Sequence, residues 1–180
     1  ILYIVYENHT RNKELLKYAQ TDALTGLYNK ETTEQLTDEL LSEDENKYHA
    51  FLILDVDCFK QINDIYGHAV GDIVLQKFGK LLKGTFREGD ILGRIGGDEF
   101  GVIMKNIQTK DIAMKKAEEL LAKTQAYKID ELKGNNISIS IGISTAPQDG
   151  DCYMDLYKRA DQALYQAKRS VKARVCNYFS

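Results

Sequence analysis

Two glycines followed at once by two carboxylates are the residues whose types and spacing best suit chemistry: residues 94–100 read Arg-Ile-Gly-Gly-Asp-Glu-Phe. Glycine accepts backbone angles with positive φ and leaves the main chain open to a ligand. The apolar-rich segments 90–95 and 100–104 predict a β-hairpin with Asp98 and Glu99 at its tip. In isolation, such a turn is best interpreted as a solvated glycine-rich loop. Carboxylates elsewhere in the chain favour a functional site instead.

A second pair of acids, Asp55 and Asp57, lies at the end of an apolar run that spans residues 48–56. This run is apolar on both alternations, which predicts a strand buried on both faces in the middle of a sheet. The two-residue period of a strand places the two acids on one face. Carboxylates beside a core strand are unfavourable unless they are solvated or bind a cation. Oxygen ligands of this kind predict a Mg²⁺ or Mn²⁺ site.

The segment after these acids, residues 58–72, predicts two helices separated by Gly67. Apolar residues of the first helix fall at helical spacing: Phe59, Ile62, Ile65 and Tyr66. The second helix extends to about Leu82, and Asp72 can begin it as an N-cap. Asp72 therefore has a structural interpretation beside any functional one.

These motifs together resemble the GGDEF domain family, the diguanylate cyclases, over about residues 20–178. Residues 55–72 match every named position of the family pattern Asp-x-Asp-x-Phe-Lys-x-x-Asn-Asp-x-x-Gly-His-x-x-Gly-Asp. Residues 22–30 resemble the motif at the start of the family's domain, with Ala23 where proline is common and Lys30 where arginine is. The chain departs from the family at its end, where residues 171–173 read Val-Lys-Ala in place of Gly-Arg-Asn.

The resemblance implies a catalytic centre of carboxylates. Asp55 and Asp98, with the main-chain carbonyl of Val56, would bind one or two Mg²⁺ or Mn²⁺ ions. Glu99, with Asp98 as the alternative, would act as the general base.

The resemblance also implies a GTP site. Asn63, Asp72 and His68 would form the guanine pocket, since a carboxylate accepts from the N–H donors of guanine and an amide serves its acceptors. The phosphates would lie near these groups: Lys60, the main chain at Cys58 and Phe59, Lys168 and Lys172. A lysine at position 172 lacks the bidentate hydrogen bonding of the arginine that is usual there, so the affinity for GTP could differ from that of the family.

A product-binding site is the third implication. Arg87 and Asp90 form an Arg-x-x-Asp quartet five residues before the glycine pair, where the family has an inhibitory site for cyclic di-GMP. The alternative is an ordinary solvated turn, because Gly89-Asp90 is favourable turn chemistry.

The chain has 180 residues, of which 43% are hydrophobic, which predicts one domain with a proper core. We divide it into a linker or signalling helix at residues 1–20 and a cyclase domain at residues 21–180. The linker repeats Ile1, Val5, Asn8, Asn12, Leu15 and Ala19 at coiled-coil spacing. It could equally pack on its own domain or end an absent sensory module.

Composition bears on the binding partners and the cellular compartment of the protein. A net charge of −3 lacks the basic footprint of a nucleic-acid-binding protein. Three widely spaced cysteines, Cys58, Cys152 and Cys176, indicate neither a disulfide framework nor a zinc site. We therefore expect a cytoplasmic domain. The chain starts at Ile1 without a methionine, so we allow for a missing N-terminal sensor or a membrane anchor.

The remaining pattern predicts an α/β (α+β) fold. Helices are expected at about 30–41, 110–127 and 153–171, a strand at 137–143 and an edge strand at 173–179. By resemblance these elements form a ferredoxin-like, mainly antiparallel sheet flanked by helices, as in polymerase palms. The strand that ends at Asp55 and the hairpin would be neighbours in that sheet.

The expected function is condensation of two GTP molecules into cyclic di-GMP with loss of two pyrophosphates. By resemblance, two copies of the domain meet face to face, each supplying half of the site, as the output of a bacterial signalling protein. A non-catalytic receptor for GTP or cyclic di-GMP is one alternative. A related cyclase that uses ATP is another, and Asp72 is the residue that discriminates against it. Loops of the P-loop or Rossmann type are absent from the sequence.

Overall fold

The computed structural model describes residues 19–43 and 47–175, with side chains up to residue 169. The helices are α1 (Lys30–Glu43), α2 (Phe59–Tyr66), α3 (His68–Thr85), α4 (Lys110–Ala126) and α5 (Tyr153–Val175). The strands are β1 (His49–Val56), β2 (Ile91–Arg94), β3 (Glu99–Met104) and β4 (Ile139–Ala146), with a short 3-10 helix at Asp130–Leu132. Most of the predicted linker, residues 1–18, lies outside the described residues.

The four strands of the described chain form one sheet in the order β2-β3-β1-β4, with every neighbouring pair antiparallel. Two helical connections, one between β1 and β2 and one between β3 and β4, complete the β-α-β-β-α-β arrangement. This confirms the predicted antiparallel, ferredoxin-like sheet flanked by helices. The predicted pairing of the hairpin with the strand of Asp55 is also confirmed.

Every residue of β1 is buried, as its apolar composition on both alternations predicts. Leu52 and Leu54 belong to a core cluster that includes residues of α3 and α4. Phe51 and Ile53, on the opposite face, belong to a second cluster with residues of α1 and α5. Because both faces of the sheet carry helices, side chains of the strands can reach a ligand at the ends of the strands.

Two local predictions need correction. Ile65 is 57% exposed, so it does not pack inward with the other apolar residues of α2. Helix α3 begins at His68, which places Asp72 fifth in that helix and rules it out as the N-cap. Helix α3 starts this early because Gly67, with a positive φ of 86°, ends α2 and is followed directly by α3. Gly67 alone therefore connects the two helices.

The end of the chain also differs from the prediction. Helix α5 extends to Val175, so residues 173–175 are helical where an edge strand was predicted, and residues 176–179 lie outside the described part. Val171 occupies the position where the family has the glycine that would favour a helix end, and the residues after it are compatible with helix. Strand β4 also begins two residues later than predicted and continues to Ala146.

The segment 21–29, called the N-terminal loop below, closes on itself and pairs with the free edge of β2. Thr21 and Tyr28 form an antiparallel bridge, and Tyr28 forms a parallel bridge with Gly93. The Tyr28 amide donates to the Leu92 carbonyl at 3.0 Å, and the Arg94 amide donates to the Tyr28 carbonyl at 2.8 Å. The loop therefore covers part of an otherwise unpaired strand edge.

Candidate active site

The acidic residues of β1 and of the hairpin lie next to each other. Asp55 is paired with Glu99 across the β1–β3 ladder, and the Val56 amide donates to the Asp98 carbonyl at 3.2 Å. The hairpin predicted from the glycine pair is confirmed, although Glu99 is the first residue of β3 rather than part of the turn. Asp98 and Glu99 are half-buried, so both carboxylates remain accessible at the end of the sheet.

The glycines of the turn serve a purpose different from the one predicted. Neither Gly96 nor Gly97 has a positive φ. A Cβ atom on Gly96 would lie 2.8 Å from Oε2 of Glu99, whereas one on Gly97 would meet nothing within 4 Å. Gly96 therefore provides space for the Glu99 carboxylate, which folds back over the turn. The amides of Ile95 and Gly96 both donate to the Glu99 carbonyl, at 2.9 and 3.2 Å.

Asp55 is a buried carboxylate with a cation beside it. Its Oδ2 lies 2.7 Å from Nζ of Lys168, which belongs to α5. Burial raises the pKa of Asp55, the hydrogen bond and charge of Lys168 lower it, and the charges of Asp98 and Asp57 raise it, with a net rise. The net rise therefore comes first from burial, and the neighbouring carboxylates add to it.

Asp57 has a structural environment that its neighbour Asp55 lacks. Its two carboxylate oxygens accept hydrogen bonds from the hydroxyls of Ser138 at 2.6 Å and Ser140 at 2.7 Å. Its amide also donates to the Ser138 carbonyl at 2.9 Å. Ser140 is the cross-strand partner of Asp55, so the two acids do share one face, as predicted. Since Asp57 is satisfied by neutral donors, it anchors β4 against the end of β1.

The donor set around Asp55 fits a hard divalent cation. It offers carboxylate oxygens at the end of a strand, and the raised pKa of Asp55 indicates that additional positive charge would be favourable there. A different group, Asp151, Cys152 and Asp155, is the one in the described chain whose potential ligand atoms lie within 4.8 Å of one another. That group lies before and within the first turn of α5, and its outer acids are exposed.

Asn63 of α2 lies close against Gly71 of α3. The side-chain oxygen of Asn63 is buried and has no hydrogen-bond partner among the described residues. A Cβ atom on Gly71 would lie 1.9 Å from that oxygen and 3.2 Å from the ring of Phe59. The absence of a side chain at Gly71 therefore leaves room for Asn63. Asp72, the next residue, is exposed, as is His68 at the start of α3.

The N-terminus of α2 lies directly after the acids of β1. Cys58 precedes the helix with a left-handed φ of 56°, and its carbonyl accepts from the amides of Gln61 and Ile62. Lys60, in the first turn, is exposed. A helix N-terminus carries a positive partial charge that suits phosphate, and Lys60 adds a full charge beside it. In the described chain Cys58 and Cys152 form no disulfide.

The lysines predicted for the triphosphate are on α5. Lys168 lines a cavity of about 480 Å³ that Glu99, Asp161 and Arg169 also line. Sequence reasoning did not select Arg169, whose guanidinium lies 5.7 Å from the ring centre of Tyr165. Lys172 is in the last turns of the same helix, and its side chain lies outside the described part.

A match to a sequence profile identifies the family of this chain. The profile described as "Diguanylate cyclase, GGDEF domain" matches residues 19–174. The chain belongs to the GGDEF domain family. The family prediction made from the sequence is confirmed.

Three known proteins show how far this similarity extends. Diguanylate cyclase A of Treponema denticola is 36% identical over 170 residues, which cover 91% of this chain and 46% of that protein. The GGDEF domain of TpbB from Pseudomonas aeruginosa is 35% identical with a TM-score of 0.78, covering 83% of this chain and 89% of that one. The GGDEF domain of DgcB from Caulobacter crescentus, solved in complex with c-di-GMP, is 26% identical with a TM-score of 0.77, covering 84% and 89%. The chain spans about half the length of the curated relatives it matches.

In this GGDEF domain the predicted product-site residues, Arg87 and Asp90, form an ion pair of 3.0 Å. The side chain of Asp90 is only 3% exposed, and it also accepts from the Lys105 amide at 3.1 Å. Arg87 is 59% exposed and donates to the Lys105 carbonyl as well. Asp90 therefore stabilises the local fold, whereas Arg87 faces solvent.

A cavity of about 740 Å³ adjoins Arg87. Its walls come from the end of α3, the N-terminal loop and β2, and they include Tyr28, Lys83, Phe86 and Leu92. The walls thus combine aromatic and aliphatic side chains with two cations, Lys83 and Arg87, and two acids, Glu88 and Asp90.

Arg94 is a residue of the GGDEF signature to which sequence reasoning assigned no role. Its guanidinium donates to the carbonyl of Gly97 within the turn and to the carboxylate of Asp22 in the N-terminal loop. An arginine directly before an acidic turn was the available signal. Its partner, 72 residues earlier, could not be read from the sequence. No helix in the described ranges combines the length and apolarity needed to cross a bilayer.

Proposed function

We propose that this GGDEF domain is a diguanylate cyclase, which condenses two GTP molecules into cyclic di-GMP and releases two pyrophosphates. The observation that carries the proposal is the pairing of Asp55 with Glu99 across β1 and β3, beside the Asp98 carbonyl. This pairing brings the acids of two motifs, 44 positions apart in the numbering, to one end of the sheet. The name of the T. denticola relative and the solved c-di-GMP complex of DgcB support the same activity.

Each copy of the domain would bind one GTP. Asn63 and Asp72 would read the guanine base, because the buried side-chain oxygen of Asn63 has no partner among the described residues and lies against Gly71, which Asp72 follows on α3. Lys60 and the N-terminus of α2 would hold the phosphates. Lys168 of α5 would bind the triphosphate. Its Nζ would then leave the Asp55 carboxylate, its present partner, and pair with a phosphate oxygen.

Asp55 and Asp98, with the Val56 carbonyl, would hold Mg²⁺ or Mn²⁺. When bound, the ion would supply Lewis-acid activation of a 3′ hydroxyl and neutralise charge on the α-phosphate. Glu99 would accept the proton of the 3′ hydroxyl, and the space above Gly96 lets its carboxylate move without a steric barrier from a side chain there.

The reaction needs a second copy of the domain. Each 3′ oxygen forms a bond to the α-phosphorus of the GTP held by the other copy, and the bond between the α-phosphorus and pyrophosphate breaks. A single chain with one guanine pocket supplies half of this arrangement. We further propose that the domain is the output of a longer signalling protein, controlled through residues before its N-terminal loop.

The decisive experiment incubates purified protein with Mg²⁺ and either GTP or ATP and measures cyclic dinucleotide and pyrophosphate. We expect cyclic di-GMP and pyrophosphate in a ratio of one to two from GTP, and no product from ATP. Asp98→Asn should remove the activity. Asp151→Asn is the matched control, because it removes one carboxylate from an acidic group elsewhere in the domain.

Other outcomes would contradict the proposal in different ways. A cyclic dinucleotide from ATP would identify a related cyclase with another base specificity. Binding of GTP or cyclic di-GMP in calorimetry, without turnover by a homodimeric sample, would identify a receptor. Equal activity in the Asp98→Asn and Asp151→Asn variants would place the catalytic centre elsewhere.

A further inference from the structure

Arg94 makes contacts at both ends of a path from the N-terminal loop to the acidic turn. On the turn side, Nε and Nη2 donate to the Gly97 carbonyl at 3.1 and 2.7 Å. On the loop side, Nη1 lies 3.2 Å from both carboxylate oxygens of Asp22. One planar guanidinium therefore joins a residue that immediately precedes Asp98 to a residue near the start of the domain.

The ion pair of Arg94 and Asp22 is shielded from water. The two side chains are 16% and 23% exposed, so solvent screens them less than a surface pair. Burial opposes ionisation of Asp22, but hydrogen bonds from Thr25 and the charge of Arg94 outweigh it and lower its pKa. Asp22 is thus a carboxylate that the folded protein holds in its charged form.

The loop on which Asp22 lies is itself connected to the preceding segment. The Asn29 amide donates to the Gln20 carbonyl at 2.9 Å, and the Asn29 side chain donates to the Ala19 carbonyl at 2.7 Å. The main chain of Tyr28 pairs with β2 on both sides of Gly93. A displacement of residues 19–20 is therefore transmitted to the loop and, through Asp22, to Arg94.

We propose that Arg94 is a positioning residue for the acidic turn, and that Asp22 of the N-terminal loop controls where it holds that turn. Through the ion pair of Arg94 and Asp22, the position of Asp98 and Glu99 depends on the N-terminal loop. A signal from residues before the domain would reach it through this loop. Its contribution is geometric, since Arg94 contacts the Gly97 carbonyl and not the acids themselves. The kinetic part of the test rests on the proposed cyclase activity, whereas the spectroscopic part does not.

Two variants separate this role from a structural one. Asp22→Asn keeps one oxygen, which can still accept from the amide and hydroxyl of Thr25 as Oδ1 does now, while it removes the charge that Arg94 binds. Arg94→Lys keeps a positive charge but cannot donate to Gly97 and Asp22 with one planar group. Thr33→Val is the matched control, because it removes the hydrogen bond from the Thr33 hydroxyl to the Asn29 carbonyl at the end of the same loop and takes no hydrogen bond from Asp22 or Arg94.

The experiment records amide resonances by ¹H–¹⁵N NMR and steady-state kinetics for each variant in full-length chain. We expect Asp22→Asn and Arg94→Lys to shift the amides of residues 96–99, and Thr33→Val to leave them near their wild-type positions. We expect kcat to fall on the order of 10- to 100-fold with KM for GTP nearly unchanged, as misplaced catalytic groups produce. The double variant should be no worse than the more affected single variant, because both remove one connection.

The opposite results would overturn the proposal. They are turn amides that move equally in Thr33→Val, additive losses in the double variant, or a loss of kcat that disappears after correction for the folded fraction. If the wild-type protein has no cyclase activity, the proposed function fails, while the comparison of turn amides still decides the role of Arg94.

Discussion

Nζ of Lys168 lies 2.7 Å from Oδ2 of Asp55 and joins helix α5 to the end of the central strand β1. The lysine was expected to bind triphosphate, and the aspartate was expected to bind a metal ion. In this structure they are each other's partner. The lysine therefore supplies a positive charge directly beside the carboxylate that we propose as a metal ligand.

Asp55→Asn should make the protein more stable and remove its activity. The raised pKa of Asp55 means that the ionised carboxylate is unfavourable in the folded state. Each kcal/mol gained in the free energy of unfolding would raise the thermal midpoint by about 2–4 °C for a domain of this size. Turnover should fall about 100-fold or more, because the metal loses an anionic ligand.

The pH dependence of this gain has a definite sign. A carboxylate whose folded pKa lies above its unfolded value of about 4 lowers stability as pH rises through the folded pKa. The difference between Asp55→Asn and wild type should thus be full at neutral pH and disappear below about pH 4. Thermal melting over pH 3–8 measures it. A variant less stable than wild type at neutral pH would show that the ion pair with Lys168 outweighs burial.

Gly71→Ala should impair GTP binding although alanine favours helix. The added Cβ atom would lie 1.9 Å from the Asn63 side-chain oxygen and must displace it. We expect KM for GTP to rise about tenfold, which corresponds to the loss of about one good hydrogen bond. Gly84→Ala is the matched control on the same helix, because a Cβ atom there meets nothing within 4 Å.

The control should separate helix propensity from binding. Gly84→Ala should raise stability by about 0.5–1 kcal/mol with KM unchanged. If Gly71→Ala binds GTP as tightly as Gly84→Ala does, Asn63 does not read the base.

Asp72→Ala should weaken discrimination between GTP and ATP without unfolding the protein. Asp72 is exposed and fifth in α3, so it caps no helix and its loss should change stability by less than about 0.5 kcal/mol. A site that hydrogen-bonds a substrate group loses selectivity when that group's partner is removed, by about tenfold or more. The ratio of kcat/KM for the two nucleotides measures the effect. Unchanged guanine selectivity would remove Asp72 from the base pocket.

Arg87→Ala should relieve product inhibition, and it is the informative variant of the pair. Arg87 is exposed beside a cavity, so its removal should change ligand binding more than folding. Asp90→Ala should instead lower stability by about 1–3 kcal/mol, since it leaves the half-buried Lys105 amide without its acceptor. Progress curves with and without added cyclic di-GMP, with Glu88→Ala as the control, test the claim. Equal slowing of Arg87→Ala and wild type would make residues 87–90 an ordinary turn.

The sequence by itself determined the elements that local pattern controls. A run apolar on both alternations predicted a central strand, and β1 is buried along its whole length. The glycine pair between two apolar segments predicted a hairpin, and β2 and β3 pair on either side of it. The family could be identified from the sequence because its motifs, and the spacing between them, are directly visible in the linear chain. Such features depend on neighbouring residues, whose geometry is nearly the same in any fold.

Only the tertiary structure decided what each charged side chain contacts. Asp55 and Asp57 are equivalent in the sequence, yet one is held by Lys168 of α5 and the other by two serines of β4. Asp90 is buried and Arg87 is exposed, although they form one motif. Arg94 meets Asp22 across 72 positions of sequence. Burial, register and packing of distant elements set these contacts, and no short window of sequence contains them.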